Sequence, residues 1–466
     1  MATRREHDLL GDRDIPSHAY WGVHTARAVE NFPITGVTIA QYPDLIVALA
    51  SIKQAAALAN RSLGALDAVR AEAIVEACEE VRAGSLHDQF VVDIIQGGAG
   101  TSTNMNANEV IANRALEIMG REKGDYAALH PNEHVNLCQS TNDVYPTAIK
   151  LALIRQIAAL CEAMGVLQAA FGAKAAEFAG LVKIGRTQLQ DAVPMTLGQE
   201  FHTYEVMLGE DIERLREAST LLHEINLGAT AIGTGINAVP GYTAAVRAQL
   251  AELTALPLKT APDLVEATQD AGAFVQLSGV LKRVAVKLSK VCNDLRLLAS
   301  GPRGGLGEIE LPAVQAGSSI MPGKVNPVIP EVVNQIAFAV IGHDVTVSFA
   351  AEAGQLQLNA FEPIIALSLF RSLSQMRRGC LVLAEKCVVG IRANEARLAE
   401  IVEHSLALVT ALNPKIGYAR ATEVALTAHR QNKTVREVVI EMGLMGSNDL
   451  DAILDPAELA RGRQKL

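Results

Sequence analysis

The chain has 466 residues, of which 49% are hydrophobic and 20% charged. This balance excludes a disordered protein, and the length suggests about three domains. The formal net charge of -10 argues against a surface that attracts nucleic acid or an anionic membrane. Only 4% of the residues are aromatic. Aliphatic side chains must therefore fill the core, which favours packed helices.

The cysteines and the N-terminus indicate the cellular compartment. None of the six cysteines forms a CxxC pair or a Cys/His spacing typical of zinc sites. We expect them to be reduced and mostly buried, as in a cytoplasmic protein. The first residues, MATRREHDLLGDRD, lack the apolar segment of a secretory signal. No uninterrupted apolar run is as long as the roughly 18 residues of a membrane span. We therefore predict neither a secretory signal nor a membrane span.

Residues 1–141 are predicted to form a mixed, mostly helical N-terminal domain. Several prolines interrupt the pattern of this part, among them Pro16, Pro33, Pro43 and Pro131. Helices fit between them at about 45–63 and 67–83. The second of these segments is rich in Ala and acidic residues, which favours helix formation.

Residues 142–396 are predicted to form a central domain of five long helices. One segment carries apolar residues at spacings of 3 and 4: Leu281, Val284, Leu288, Val291, Leu295 and Leu298. The other stripes lie in 153–171, 208–225, 333–347 and 369–387. A period near 3.5 keeps helices in register with their neighbours over many turns. Five helices of about 25–30 residues would each be roughly 40 Å long, which suits an elongated bundle.

Some of these helices are apolar on more than one face, as around Phe274, Leu277 and Val280. Such helices are buried on more than one face, so we predict that the bundle associates with other subunits in closed symmetry. The alternative is one bundle whose central helix is fully buried.

Residues 397–466 are predicted to form a small helical C-terminal domain. Thr434 can cap a helix that ends at Gly443, and Ser447 or Asn448 can cap the next one.

Two segments rich in Ser, Thr and Asn precede predicted helices. In 97–106, glycines permit close backbone approach, and Thr101 and Ser102 can donate to an anion in front of a helix expected from Ala107. The alternative is a plain helix cap. In 139–143, the adjacent Ser140, Thr141 and Asn142 offer three uncharged side chains where a cap needs one. This excess favours a site for an anion or an ammonium group.

Two further segments complete the polar set. In 185–194, which joins two long helices, Thr187 and Gln188 are candidate ligand contacts, and Arg186 is either a contact or a structural ion-pair residue. In 317–327, glycines and prolines prevent regular structure around Ser318, Ser319, Lys324 and Asn326. Such a loop could close over a substrate. Hydroxyls, amides and one lysine suit the binding of a small carboxylate and the stabilisation of charge that develops on it.

The segment GSSIMPGKVNP at 317–327 resembles the signature of the aspartase/fumarase superfamily of lyases, and the resemblance runs from end to end. The segments 5–36, 225–237 and 351–359 are similar to its aspartate ammonia-lyase branch. The resemblance implies a mainly α, three-domain fold with a central long-helix bundle. It also implies a homotetramer with a helical core, in which each active site is assembled from three subunits.

The reaction that the resemblance implies is the anti elimination of ammonia from L-aspartate to give fumarate through an aci-carboxylate. Ser318 would be the general base, acting as an oxyanion that backbone N–H groups and positive charge must stabilise. The implied substrate contacts are Thr101, Ser140, Thr141 and Ser319 at the β-carboxylate, Thr187, Lys324 and Asn326 at the α-carboxylate, and Asn142 with Gln188 or Thr101 at the amino group. No cofactor and no metal ligand is implied. Arg27 is a possible extra carboxylate contact.

Two other functions remain open at this point. The first is class II fumarate hydratase, whose members typically read GRTHLQD where this chain has Gln188. In those hydratases the histidine of this motif, together with a Glu matching Glu331, fits the activation of a water molecule. Glutamine cannot accept a proton near neutral pH, so a hydratase with Gln188 would lack this base. The second is a non-catalytic helical scaffold, although all four polar segments are intact. His130 and His134 are interpreted as structural or second-site residues.

Overall fold

The computed structural model describes residues 2–461, and its fold is mainly helical, as predicted. The N-terminal part contains β1 (Thr3–Asp8), β2 (Gly11–Pro16), α1 (Val23–Asn31), α2 (Pro43–Ser62), α3 (Ala68–Arg82) and α4 (Thr101–Ile118). Both helices predicted here, α2 and α3, are confirmed. Pro43 opens α2, where its missing N–H costs nothing, and the Asp67 side chain caps α3 at the Arg70 N–H. The hairpin of β1 and β2, which pairs Thr3 with Pro16, was not predicted.

The five predicted long helices are confirmed. They are α5 (Thr141–Glu177), α6 (Leu197–Leu221), α9 (Gly272–Leu298), α10 (Val328–Glu352) and α11 (Glu362–Lys386). Between them lie β3 (Val182–Thr187), β4 (Gln190–Thr196), β5 (Glu224–Ile225), α7 (Tyr242–Thr254), β6 (Lys259–Thr260), α8 (Leu264–Gln269) and β7 (Ile309–Glu310). The predicted stripe of α9 is buried from Leu281 to Leu298.

The C-terminal part consists of short elements. They are β8 (Arg392–Ala393), α12 (Glu395–His404), α13 (Asn413–Ile416), α14 (Tyr418–Gln431), α15 (Val435–Glu441), α16 (Ser447–Ile453) and α17 (Pro456–Arg461). The cap at Thr434 is confirmed as a capping box with Glu437. The prediction that Ser447 or Asn448 caps α16 is wrong, because Gly446 holds that position. The hydroxyl of Ser447 instead accepts a hydrogen bond from Arg436.

The chain divides into two compact units. The first comprises 1–161, 213–283 and 338–375, and the second comprises 162–212, 284–337 and 376–466. Ile74, Cys78 and Ile111 lie in a core cluster of the first unit, and Leu412 and Val438 in one of the second. All six cysteines are unpaired and buried, as predicted. The division into domains at 141 and 396 stays a prediction.

Helix α10 carries an exposed apolar stripe. Phe338, Val345 and Phe349 are 61%, 52% and 71% exposed, and Gly342 completes a spacing of 4, 3 and 4. This spacing is that of a helix which packs against a partner helix. Among residues 2–461, α10 is also the one helix long and apolar enough to cross a membrane. A single such helix is weak evidence, and the absence of a membrane span stays a prediction.

The carboxyl group of Glu362, at the start of α11, is buried, and its burial raises its pKa from 4.5 to about 8. Glu362 is therefore protonated in the folded chain and ionised in the unfolded chain between these two pH values. Unfolding then releases a proton, so stability falls as pH rises, by about 1.4 kcal/mol per pH unit. We expect Glu362→Gln to leave the melting temperature unchanged at pH 5 and to raise it at pH 7 to 8. A constant difference across this range would contradict the assignment.

Candidate active site

The first polar segment lies at the start of α4. The helix begins at Thr101, six residues before the predicted start at Ala107, so Thr101 is its first residue. Gly100, in the left-handed region at φ 88°, ends the glycine turn and permits this early start. The Thr101 hydroxyl donates to the Gly98 carbonyl at 2.7 Å and is exposed.

The second segment lies at the start of α5, where Asp143 organises the polar side chains. The buried carboxylate of Asp143 accepts hydrogen bonds from the Ser140, Gly228 and Thr230 N–H groups at 3.0, 3.0 and 2.9 Å. Burial raises the pKa of Asp143 to about 6. The Asn142 side chain donates to the Ala231 carbonyl at 2.7 Å. Asp143 and Asn142 thus join the start of α5 to the segment 225–237 that carried part of the resemblance.

Ser140 and Thr141 line a cavity of about 330 Å³ in the first unit. The other polar side chains around it are those of Asn104, Asn136, Gln139, Thr230 and Asn237. Hydroxyl and amide groups can orient a small anion by donating hydrogen bonds to it. The cavity therefore suits one carboxylate end of a small dicarboxylic acid.

The third segment, which joins two long helices, forms a β-hairpin that was not predicted from the sequence. Strands β3 and β4 pair Thr187 with Gln190 across the two residues Gln188 and Leu189, at φ 55° and 62°. Two such residues define a type I′ turn, which usually contains Asn-Gly. Because neither residue is glycine, the sequence carries no turn signal here. Thr187 and Gln188 are both exposed at the tip.

Arg186 is an ion-pair residue within the chain, which decides between its two interpretations. Its guanidinium lies 2.5 Å from the carboxylate of Glu308, which is fully buried. Lys183, on the same strand, pairs with Glu308 at 2.8 Å and with Glu200 at 2.5 Å. These contacts anchor the hairpin that presents Thr187 and Gln188.

The fourth segment, 317–327, has no helix or strand, as predicted, and α10 begins directly after it. The Ser318 hydroxyl oxygen accepts hydrogen bonds from the Ile320 and Met321 N–H groups, at 3.2 and 2.9 Å. Hydrogen bonds to an ionised group favour its charged form. The Asn326 amide donates to the Gly317 carbonyl at 2.6 Å, and the Gly317 N–H donates to the Lys324 carbonyl at 2.8 Å. Both bonds close the loop on itself.

The predicted site residues fall into two sets. Thr101, Ser140, Thr141 and Asn142 belong to the first unit, and Thr187, Gln188, Ser318, Ser319, Lys324 and Asn326 belong to the second. Within residues 2–461, no group of three or more His, Cys, Asp or Glu side chains is arranged to hold a metal ion.

Other polar residues of the sequence analysis have local partners. Arg27 forms a bidentate pair with Asp8 at 2.7 Å, which accounts for its guanidinium without a substrate. The His134 ring accepts the His130 N–H at 2.7 Å, and the His130 ring accepts the Asn132 N–H. These bonds agree with the structural interpretation of both histidines.

Sequence reasoning missed two buried groups beside the cavity, the carboxylate of Asp143 and the ammonium of Lys53. Lys53 is fully buried, and its Nζ lies 2.8 Å from the Asn104 amide oxygen. The available signal was one charged residue inside the apolar segment ASIKQAAALAN of α2.

Comparison with known proteins places the chain in a family. The profile of a family described as lyase matches residues 11–342, and that of the fumarase C C-terminus matches 408–461. A relative from Pseudomonas fluorescens, named aspartate ammonia-lyase, is 59% identical over 99% of this chain and 96% of its own.

Two solved structures share the fold. A Brucella melitensis protein described as fumarate lyase:delta crystallin, bound to cobalt, is 56% identical, with a TM-score of 0.97 over 98% of this chain and all of its own. A class II fumarase from Schistosoma mansoni is 36% identical, with a TM-score of 0.95 over 99% of this chain and all of its own. Both likenesses cover all three predicted domains. The chain therefore belongs to the aspartase/fumarase superfamily of lyases.

Proposed function

We propose that the chain catalyses the reversible anti elimination of ammonia from L-aspartate to give fumarate. The observation that carries this proposal is the Ser318 oxygen held by two backbone N–H groups in a loop that also contains Ser319, Lys324 and Asn326. Relatives named aspartate ammonia-lyase, at 59% identity in one case, favour it over fumarate hydratase. Gln188 supports the same choice, because an elimination of ammonia needs no base for water.

The chemistry begins at C3 of the substrate. The Ser318 oxyanion removes a proton from C3, and the electron pair of that C–H bond moves into the adjacent carboxylate to form the aci-carboxylate. These electrons then return to form the C2–C3 double bond. The C2–N bond breaks as they do so, and its electron pair leaves with neutral ammonia. Each donor placed on the developing oxyanion contributes about 2.7–4 kcal/mol, so several must act together.

The remaining site residues bind the three charged groups of the substrate. Thr101, Ser140, Thr141 and Ser319 bind the β-carboxylate, Thr187, Lys324 and Asn326 bind the α-carboxylate, and Asn142 with Gln188 or Thr101 contacts the amino group. The open cavity at Ser140 and Thr141 and the exposed side chains of Thr187, Ser319 and Lys324 support these assignments.

The active enzyme is a homotetramer, with each site built from three chains. Members of the superfamily are oligomeric. The exposed stripe at Phe338, Val345 and Phe349 supports a helical interface, as does the 84% exposure of Ile320 in the Ser318 loop. The enzyme resides in the cytoplasm, which its six unpaired, buried cysteines support.

Fumarate formation, followed by its ultraviolet absorbance, tests the proposal. We expect product from L-aspartate and little from L-malate. Product from malate alone would establish the hydratase instead, and product from neither would favour a scaffold. Sedimentation of the same preparation checks the tetramer.

Gln188→His restores the residue that fumarases typically carry, and it separates a missing base from a missing water site. A general base contributes about 100-fold or more in rate, but only to a water that is held in place. We therefore expect malate turnover to stay at least about 100-fold below that of aspartate. Strong malate turnover in this variant would show that position 188 alone selects the reaction.

A further inference from the structure

Lys53 is a buried cation whose hydrogen-bond partners among the described residues are all neutral. Its Nζ donates to the amide oxygens of Asn104, Asn136 and Gln139 at 2.8, 2.8 and 2.9 Å. These three bonds use all the donors of an ammonium group. Burial lowers the pKa of Lys53 to about 7, and the nearby carboxylate of Asp143 opposes this shift because its negative charge favours the ammonium form. An ammonium in such a position carries a cost in desolvation that a purely structural role would not require.

Asn104 connects this ammonium to the cavity. Its amide oxygen accepts from Lys53, and its amide nitrogen donates to the Thr141 hydroxyl oxygen at 3.1 Å. Polarisation along such a chain strengthens each successive donor. The Thr141 hydroxyl, which accepts from Asn104, has its own hydrogen left to donate. Thr141, Asn104, Asn136 and Gln139 all line the cavity of about 330 Å³.

We infer that Lys53 is a positioning residue for the elimination: through Asn104 it holds the Thr141 hydroxyl as a donor to the substrate carboxylate, and its charge offsets the negative charge that develops there. The inference rests on the proposed function. Lys53 itself is fully buried and its three N–H groups already donate to amide oxygens, so we assign it no direct contact with the substrate. Because the carboxylate gains charge only as the aci-carboxylate forms, Lys53 stabilises the intermediate more than the bound substrate.

The Lys53→Met variant removes the charge and keeps the length of the side chain. We expect kcat for aspartate to fall about 100-fold and KM to change less than about 3-fold, since a loss confined to the transition state appears in kcat. The matched control is Lys150→Met, which removes a partly buried lysine of the same unit that donates to the Glu224 carbonyl. The control should keep the wild-type kcat. An unchanged kcat in folded, tetrameric Lys53→Met would overturn the inference.

Two further variants keep the inference testable if Lys53→Met does not fold. Lys53→Arg retains the charge and should keep more activity than any neutral replacement. Asn104→Ala leaves the ammonium in place and removes its link to Thr141. It should lower kcat with little change in KM, and wild-type kcat in this variant would equally contradict the inference.

Ligand binding separates this inference from the proposed function. Succinate mimics the bound substrate, whereas the nitronate of 3-nitropropionate has the planar shape of the aci-carboxylate. Titration calorimetry should show that Lys53→Met weakens nitronate binding by about the factor lost in kcat and leaves succinate within about 3-fold. If the wild type releases no fumarate from aspartate, the proposed function fails. If the wild type does release fumarate, and Lys53→Met and Asn104→Ala both bind the nitronate as tightly as the wild type does, only the role of Lys53 fails.

Discussion

Replacement of Ser318 by Ala is expected to reduce fumarate formation from L-aspartate by about 1,000-fold or more, within the range attributed to a general base. The hydroxyl oxygen of Ser318 accepts hydrogen bonds from two backbone N–H groups, which stabilise its ionised form. Alanine offers no group that can take the C3 proton. The residue lies in a loop without helix or strand, so the variant should fold and assemble as the wild type does. The rate is measured by ultraviolet absorbance at saturating substrate.

The matched control for this variant is Ser62→Ala, at the exposed end of α2. It makes the same chemical change outside the proposed site and should keep the wild-type rate. Calorimetric binding of succinate to Ser318→Ala should also persist, because Ser318 is assigned to proton transfer and not to binding. Turnover within about 10-fold of the wild type would exclude Ser318 as the base.

The helices were predictable because their sequence signal is local. Apolar spacings of 3 and 4 identify the stripe of α9. The helices predicted at about 45–63 and 67–83 agree with α2 and α3 to within about two residues at each end. The start of α4 was missed by six residues. The helix can begin at Thr101 because Gly100 adopts a left-handed backbone conformation, and composition does not reveal that conformation.

The site was predictable in its residue types but not in its supports. The Ser318 loop was predictable because two glycines and two prolines within residues 317–327 prevent regular secondary structure. The hairpin tip at Gln188 and Leu189 has no glycine to mark it. The bonds of Lys53 to Asn104 and Asn136 join residues 51 and 83 positions apart. Such contacts arise from tertiary packing, and no local pattern encodes them.

Gly100 is the glycine of the first polar segment with the least room for a side chain. A Cβ at this position would lie 2.3 to 2.6 Å from ring carbons of Tyr145, which is fully buried. The backbone at φ 88° adds strain for any residue with a Cβ. Gly100→Ala is therefore expected to lower the free energy of unfolding by about 3–4 kcal/mol, the sum of overpacking and backbone strain. The melting temperature and chemical unfolding measure this loss.

Gly98→Ala separates the two causes. Gly98 has nearly the same backbone, at φ 91°, but its Cβ would meet Thr101 at an ordinary 3.7 Å. It should lose only the strain, about 1–2 kcal/mol, and the difference between the variants measures the contact with Tyr145. Because Gly100 directly precedes Thr101, its replacement should also displace the Thr101 hydroxyl and raise KM for aspartate. Equal losses of stability in the two variants would show that the Tyr145 ring moves aside, and that backbone conformation alone requires glycine at position 100.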